Sequence, residues 1–218
     1  MIQVQLGTIW AVVLALSGCA LTSKSDPLVP RYYNPEGDDA LARPAADGYT
    51  GSGRVITELR LGRVTGASYL GERIVYRDSS HELGYYDERR WSEKPDIYLR
   101  RALGRAFFEQ HGVHRLLAGA GPTLDVELTA FEELRSPTPT ARVSATFILQ
   151  DGRVVLREQT ITVDRPIGGS DKQRTAEQAV AALSLAFGDL VNRMTTLVIG
   201  DLDKRALRSR PGSNPGID

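Results

Sequence analysis

From position 55 the chain alternates between two faces. Val55, Thr57, Leu59 and Leu61 interleave with Ile56, Glu58 and Arg60, a period of two that predicts a strand. Residues 73–77 (Arg-Ile-Val-Tyr-Arg) and 82–87 (Glu-Leu-Gly-Tyr-Tyr-Asp) flank the polar Asp78-Ser79-Ser80-His81 and read as a hairpin. Ser92-Glu93-Lys94-Pro95 then opens a helix, with proline suited to its first turn and Asp96 placed to complement the helix dipole. Leu99, Ala102, Leu103, Ala106 and Phe107 form its apolar stripe, and Gly112 offers a stop. Two more alternating runs, 124–130 and 143–149, predict strands. Asp151-Gly152 predicts a tight turn into a partner strand over 153–163. A second helix is expected from Ser170-Asp171, with Ala176, Ala179, Val180, Leu183, Phe187, Leu190, Val191, Met194, Leu197 and Val198 at three-four spacing.

The element order is thus β-β-β-α-β-β-β-α. It predicts a single α+β domain over residues 54–203: a twisted, mostly antiparallel sheet of about six strands with two helices packed on one face. Residues 204–218, rich in Arg, Pro, Gly and Ser, are expected to be a disordered tail. Residues 20–53 carry Pro27, Pro30, Pro35 and Pro44 with little periodicity and read as a linker, although Tyr32-Tyr33 are unusual in a free tether.

The amino-terminal pattern differs from the rest. An apolar run from Ile9 to Leu16 ends in Leu16-Ser17-Gly18-Cys19, and Cys19 is the only cysteine. It cannot form an internal disulfide. The four residues read as a bacterial lipobox, which makes residues 1–18 a lipoprotein signal peptide and Cys19 the first mature residue, carrying a diacylglycerol and an acylated amino terminus that palmitate would label. The apolar run is shorter than the roughly 20 residues that cross a bilayer. No Lys or Arg precedes Cys19, so the amino terminus alone supplies positive charge there. Ala20 follows the cysteine, and by the sorting rule of Gram-negative envelopes this favours an outer-membrane lipoprotein facing the periplasm over the inner membrane.

Charge and motif inventory narrow the function. Of 218 residues, 27 are basic and 27 acidic, a balance unlike that of a nucleic-acid binder. No phosphate loop of the Gly-x-x-x-x-Gly-Lys-Ser/Thr kind occurs. Residues 66–71 contain a serine near glycines but not Gly-x-Ser-x-Gly. The three histidines, His81, His111 and His114, fall at no recognised zinc spacing, and Gly168-Gly169-Ser170-Asp171 reads as a turn and N-cap. The expectation is a protein without catalytic residues, cofactor or metal. Tyr85, Tyr86, Arg90, Trp91 and Arg101 are the candidate partner-binding residues, because interface energy concentrates on Trp, Tyr and Arg. For Trp91 the competing role is to fasten the hairpin to the first helix inside the core. For Arg89-Arg90 and Arg100-Arg101 with Arg105 the alternatives are a basic surface that meets an acidic partner or lipid headgroups and a solvated helix face.

The lipobox, the strand, the hairpin of 73–77 and 82–86, then Arg90-Trp91-Ser92-Glu93-Lys94-Pro95 and the Leu-Arg-Arg-Ala-Leu run at 99–103 together resemble the ABC-type transport auxiliary lipoprotein family. The resemblance spans roughly Val55–Val198 and is most specific over 72–105. It implies a non-enzymatic accessory to an ABC transporter with an MCE-domain (mammalian cell entry) periplasmic protein, as in the paraquat-inducible system, moving lipids or other hydrophobic molecules. The implied partners are that MCE protein, its permease and ATPase, and the membrane through the lipid anchor. A second copy of the chain is left open as a partner, and so is carriage of lipid by the domain itself. The competing reading is an outer-membrane lipoprotein that regulates a cell-wall synthase by protein contact.

Overall fold

The computed structural model describes residues 29–36, 57–168 and 175–208. Cys19, the signal peptide, the second-helix cap at Ser170-Asp171 and most of the expected linker lie outside them. The described elements run β1 (Arg31–Tyr33), β2 (Glu58–Gly66), β3 (Arg73–Arg77), β4 (Leu83–Trp91), α1 (Pro95–Gly104), β5 (His114–Arg115), β6 (Pro122–Leu134), β7 (Thr140–Asp151), β8 (Val154–Pro166) and α2 (Ala176–Arg208).

β6 organises the sheet. Along one edge it pairs antiparallel with β7, which pairs antiparallel with β8. Its other edge is shared by two parallel neighbours: β2 from Arg60↔Thr123 to Gly66↔Leu128, then β3 from Val75↔Glu132 to Arg77↔Leu134. β4 folds back antiparallel on β3, β1 lies parallel on β4, and β5 lies parallel beside β2. The sheet has eight strands among the described residues rather than the expected six. Its long ladders, β6–β7 and β7–β8, are antiparallel as expected, while four of its seven pairings, all shorter, are parallel. Alternation reveals that a segment is a strand but not which neighbour it meets. The two added strands, β1 and β5, are too short to show any period.

Both helices pack on the sheet and touch each other, α1 over β2 and β6, α2 over β6, β7 and β8. Leu124, Val126, Leu128, Val143, Ala145, Phe147 and Leu149 supply the sheet's buried face. The opposite face of β7–β8 is a polar ladder: Thr146 with Thr160 at 2.8 Å, Ser144 with Thr162 at 2.9 Å, and a two-bond Arg142–Asp164 pair at 2.7 and 2.8 Å. This is the two-layer α+β arrangement, with one core between the layers.

Local chemistry explains the element ends. α1 starts at Pro95 behind an extended Lys94 that makes no side-chain cap, and Asp96 lies in its first turn. After Gly104 the helix widens into a π-helical turn, Arg105–Gln110. Gly112 ends it at φ 61°, where a Cβ would be strained. The β7–β8 turn is Gly152-Arg153, one residue later than expected, with Gly152 at φ 60°. α2 continues to Arg208, past the expected boundary at 203. Its 33 residues span about 50 Å. Its length and hydropathy would suffice to cross a membrane, yet 56% of its most apolar stretch is buried within the domain. Asp189, a polar interruption in the helix, pairs with Arg165 of β8 at 2.7 Å.

Three carboxylates tie α2 and β8 to their neighbours, and each is held below its ordinary range. The hydrogen bond from Arg142 does this for Asp164, that from Arg157 for Asp201, and that from the Tyr33 hydroxyl for Glu177. As pH falls, the unfolded chain takes up protons first. The stability these groups contribute is therefore complete above their unfolded pKa and drains away as pH drops through the folded one. Denaturant unfolding is expected to give a flat midpoint from about pH 7 to 5 and a decline below about pH 4.5. A midpoint that instead falls between pH 7 and 5 would assign the acid response to other groups.

Candidate partner-binding surface

The hairpin β3–β4 and the end of β6 place arginines, tyrosines and two glutamates on both faces of one corner of the sheet. Glu132 and Glu133 are adjacent on β6, so they point to opposite faces. Both are buried, at 3% and 1% exposure, and a buried carboxylate needs a partner. Glu132 receives Arg77 Nε at 2.7 Å and the Tyr69 hydroxyl at 3.3 Å. Glu133 receives the Tyr86 hydroxyl at 2.6 Å, with Arg135 Nε at 3.6 Å. Burial first, then the neighbouring glutamate, pushes the Tyr69 and Tyr86 phenols above their ordinary range. Both remain donors at neutral pH.

On the Glu133 face the rings and guanidiniums stack. Tyr76 and Tyr86 meet edge to face at 5.4 Å, and the Arg135 guanidinium lies 3.3 Å from the Tyr76 ring centre and 5.1 Å from that of Tyr86. Gly84 lies under the Tyr76 ring, where a Cβ would collide with it. On the other face Arg73 covers Tyr85 and Arg77 covers Tyr69. Such stacking stabilises by about 0.5–1 kcal/mol per contact where exposed. It also leaves the corner rigid and amphipathic.

The expected site residues fall in different places. Tyr85 and Tyr86 point to opposite faces and are both half-buried, rather than one core and one exposed. Arg90 is half-buried, in register with Tyr32 of β1 and Arg73 of β3. Trp91 is 1% exposed and packs on Phe131 at 4.9 Å, in the core. Arg101 lies on α1, lies over Tyr98, and pairs with Glu36 at 2.8 Å and with Glu93. Arg105 takes the second oxygen of Glu36 at 2.6 Å. The basic surface expected from Arg100, Arg101 and Arg105 is therefore partly neutralised by a carboxylate from the segment read as linker. That segment docks: β1 adds to β4, Tyr33 donates to Glu177 at 2.8 Å, and Glu36 is clamped by two arginines. Sequence reasoning missed Glu36, Glu132, Glu133 and Arg135. The one available signal was two adjacent acids closing the 124–134 strand, since one of them must face inward.

The three histidines stay apart from any cluster of metal-ligand side chains among the described residues. Glu132 and Glu133, the buried carboxylates, are engaged by arginine and tyrosine. The described domain is thus an α+β scaffold presenting a stacked arginine–tyrosine corner.

The profile of the ABC-type transport auxiliary lipoprotein component family matches residues 40–195, and the chain belongs to that family. In fold it is similar to protein XCC0632 from Xanthomonas campestris, with TM-score 0.59 and 22% identity over 68% of this chain and 88% of that one. It is similar also to a second crystal structure of an uncharacterized protein, with TM-score 0.57 and 14% identity over 78% and 99%. No curated protein matches it significantly. The chain is accordingly a cell-envelope lipoprotein, an auxiliary component of ABC-type transport.

Proposed function

We propose that this lipoprotein is held to the outer membrane by acyl chains on Cys19 and steadies an MCE-domain periplasmic protein of a lipid-moving ABC system. Family membership over residues 40–195 is the observation that carries this reading. The chemistry of the domain supports it. Glu132 and Glu133 are held by arginine and tyrosine partners, which suits scaffolding rather than proton transfer. Tyr85, Tyr86 and Arg90 sit half-buried on a stiff hairpin, so their contact with a partner would cost little conformational entropy. Arg101, tied to Glu36 and Glu93, positions the docked segment beside that hairpin, and Trp91 holds the hairpin from beneath. A tether at Cys19 keeps the module within reach of its partner and raises the effective concentration without any new contact. The test is affinity purification of the full chain from native membranes in mild detergent. The MCE protein, its permease and its ATPase are the expected company.

A further inference from the structure

A cleft of about 480 Å³ opens between β2, β5 and the α1–π-turn wall. Among the described residues, Arg60, Arg100, Arg101, Arg105 and Arg115 line it, with Glu109 as the one acid in the lining. Arg101 and Arg105 already hold a carboxylate, the Glu36 side chain. The other three form no ion pair among the described residues. Arg60 donates to the Gly119 carbonyl, Arg100 donates to the Gly62 carbonyl at 2.8 Å, and Arg115 lies 4.2 Å over the Phe108 ring. Among the described residues, the buried Nε atoms of Arg60 and Arg105 have no hydrogen-bond partner. Leu61, Phe108 and Leu116 give the same cleft an apolar wall, and Leu117 stands at its lip, 86% exposed.

Three guanidiniums facing one concavity best match a ligand with more than one negative charge and more than two acceptor oxygens. A carboxylate offers one charge and two oxygens. A phosphate monoester offers about −1.5 to −2 and three free oxygens, and arginine's planar fork matches it. The apolar wall and exposed Leu117 then suit a hydrocarbon chain leaving the phosphate. The volume lies within the usual range for small-ligand sites. We infer that this cleft binds the phosphate headgroup of an anionic lipid, with the first carbons of its acyl chains on Leu61, Phe108 and Leu117. This assignment stands on the cleft alone and does not require a particular transporter partner.

The test is native mass spectrometry of the full-length lipoprotein in nonionic detergent. It is titrated with dihexanoyl phosphatidic acid, dihexanoyl phosphatidylcholine, inorganic phosphate and a phosphoserine peptide. One phosphatidic acid per chain is expected at saturation, bound at least tenfold more tightly than phosphatidylcholine and weakened by salt. R100Q/R115Q, at two exposed positions, is expected to lose at least tenfold in phosphatidic acid affinity while keeping its thermal midpoint. R142Q, on the opposite sheet face, is expected to keep full binding. L117S is expected to weaken phosphatidic acid without changing inorganic phosphate. Equal binding by R100Q/R115Q and wild type would overturn the site. Inorganic phosphate or the phosphopeptide matching phosphatidic acid would overturn the lipid assignment.

Discussion

Replacing Cys19 with serine is expected to move the chain from the membrane fraction to the soluble fraction. The thioether bond to diacylglycerol requires a thiolate nucleophile, and serine's hydroxyl is not ionised near neutral pH. Each buried CH₂ is worth about 0.8 kcal/mol of membrane affinity, so one chain anchors marginally and three anchor in effect permanently. The substitution therefore removes the whole anchor at once. The described core runs from Leu59 to Leu202, and its thermal midpoint is expected to be unchanged. Fractionation with palmitate labelling checks both parts: label and sedimentation should be lost together. A serine variant that still pellets with membranes would show that something other than acyl chains holds it.

The second large effect is expected at Trp91. Its ring packs on Phe131 at 4.9 Å, and Phe131 meets Phe187 edge to face at 6.0 Å. These three rings join β4, β6 and α2, so one contact chain ties the hairpin, the sheet and the long helix together. Trp91→Ala leaves a cavity that neighbours can only partly fill, at a cost of about 3–5 kcal/mol. That is a large share of the roughly 5–15 kcal/mol that holds a domain folded, and it lowers the thermal midpoint by roughly 10 °C. Among the described residues the buried indole N–H has no hydrogen-bond partner. Trp91→Phe keeps most of the ring and removes that unsatisfied donor, so it is expected to cost less than half as much. Thermal unfolding of both variants decides the matter: a shift under about 1 kcal/mol for Trp91→Ala would mean the three rings do not act as a keystone.

The hairpin around Asp78–His81, the α1 stripe and the β7–β8 pair were all legible, because each is a local pattern read over ten or so residues. What escaped was long-range. β1 has three residues and no period, and its identity as a strand comes entirely from Arg89–Trp91 across 58 positions of chain. The parallel pairings of β2 and β3 with β6 depend on a shared edge that alternation does not encode. The break in β2 at Leu61–Val64 shifts its register where the Arg63 amide donates to Asp125 at 2.6 Å. That bond belongs to two strands 62 residues apart. The arginine–tyrosine corner was half legible: Tyr85, Tyr86 and Arg90 stood out by composition, whereas Arg135 and the two glutamates acquire their roles only when β6 is laid beside β3. The same holds for Glu36, whose two arginine partners lie 65 and 69 residues away.

The most direct measurement of the central claim is quantitative mass spectrometry of what accompanies the full chain out of native membranes. An MCE-domain protein, enriched together with a permease and an ATPase in fixed ratio and lost when the hairpin surface carries Arg90→Glu, is the predicted result. Enrichment of a glycan polymerase in their place, with transporter subunits at background, would contradict the account.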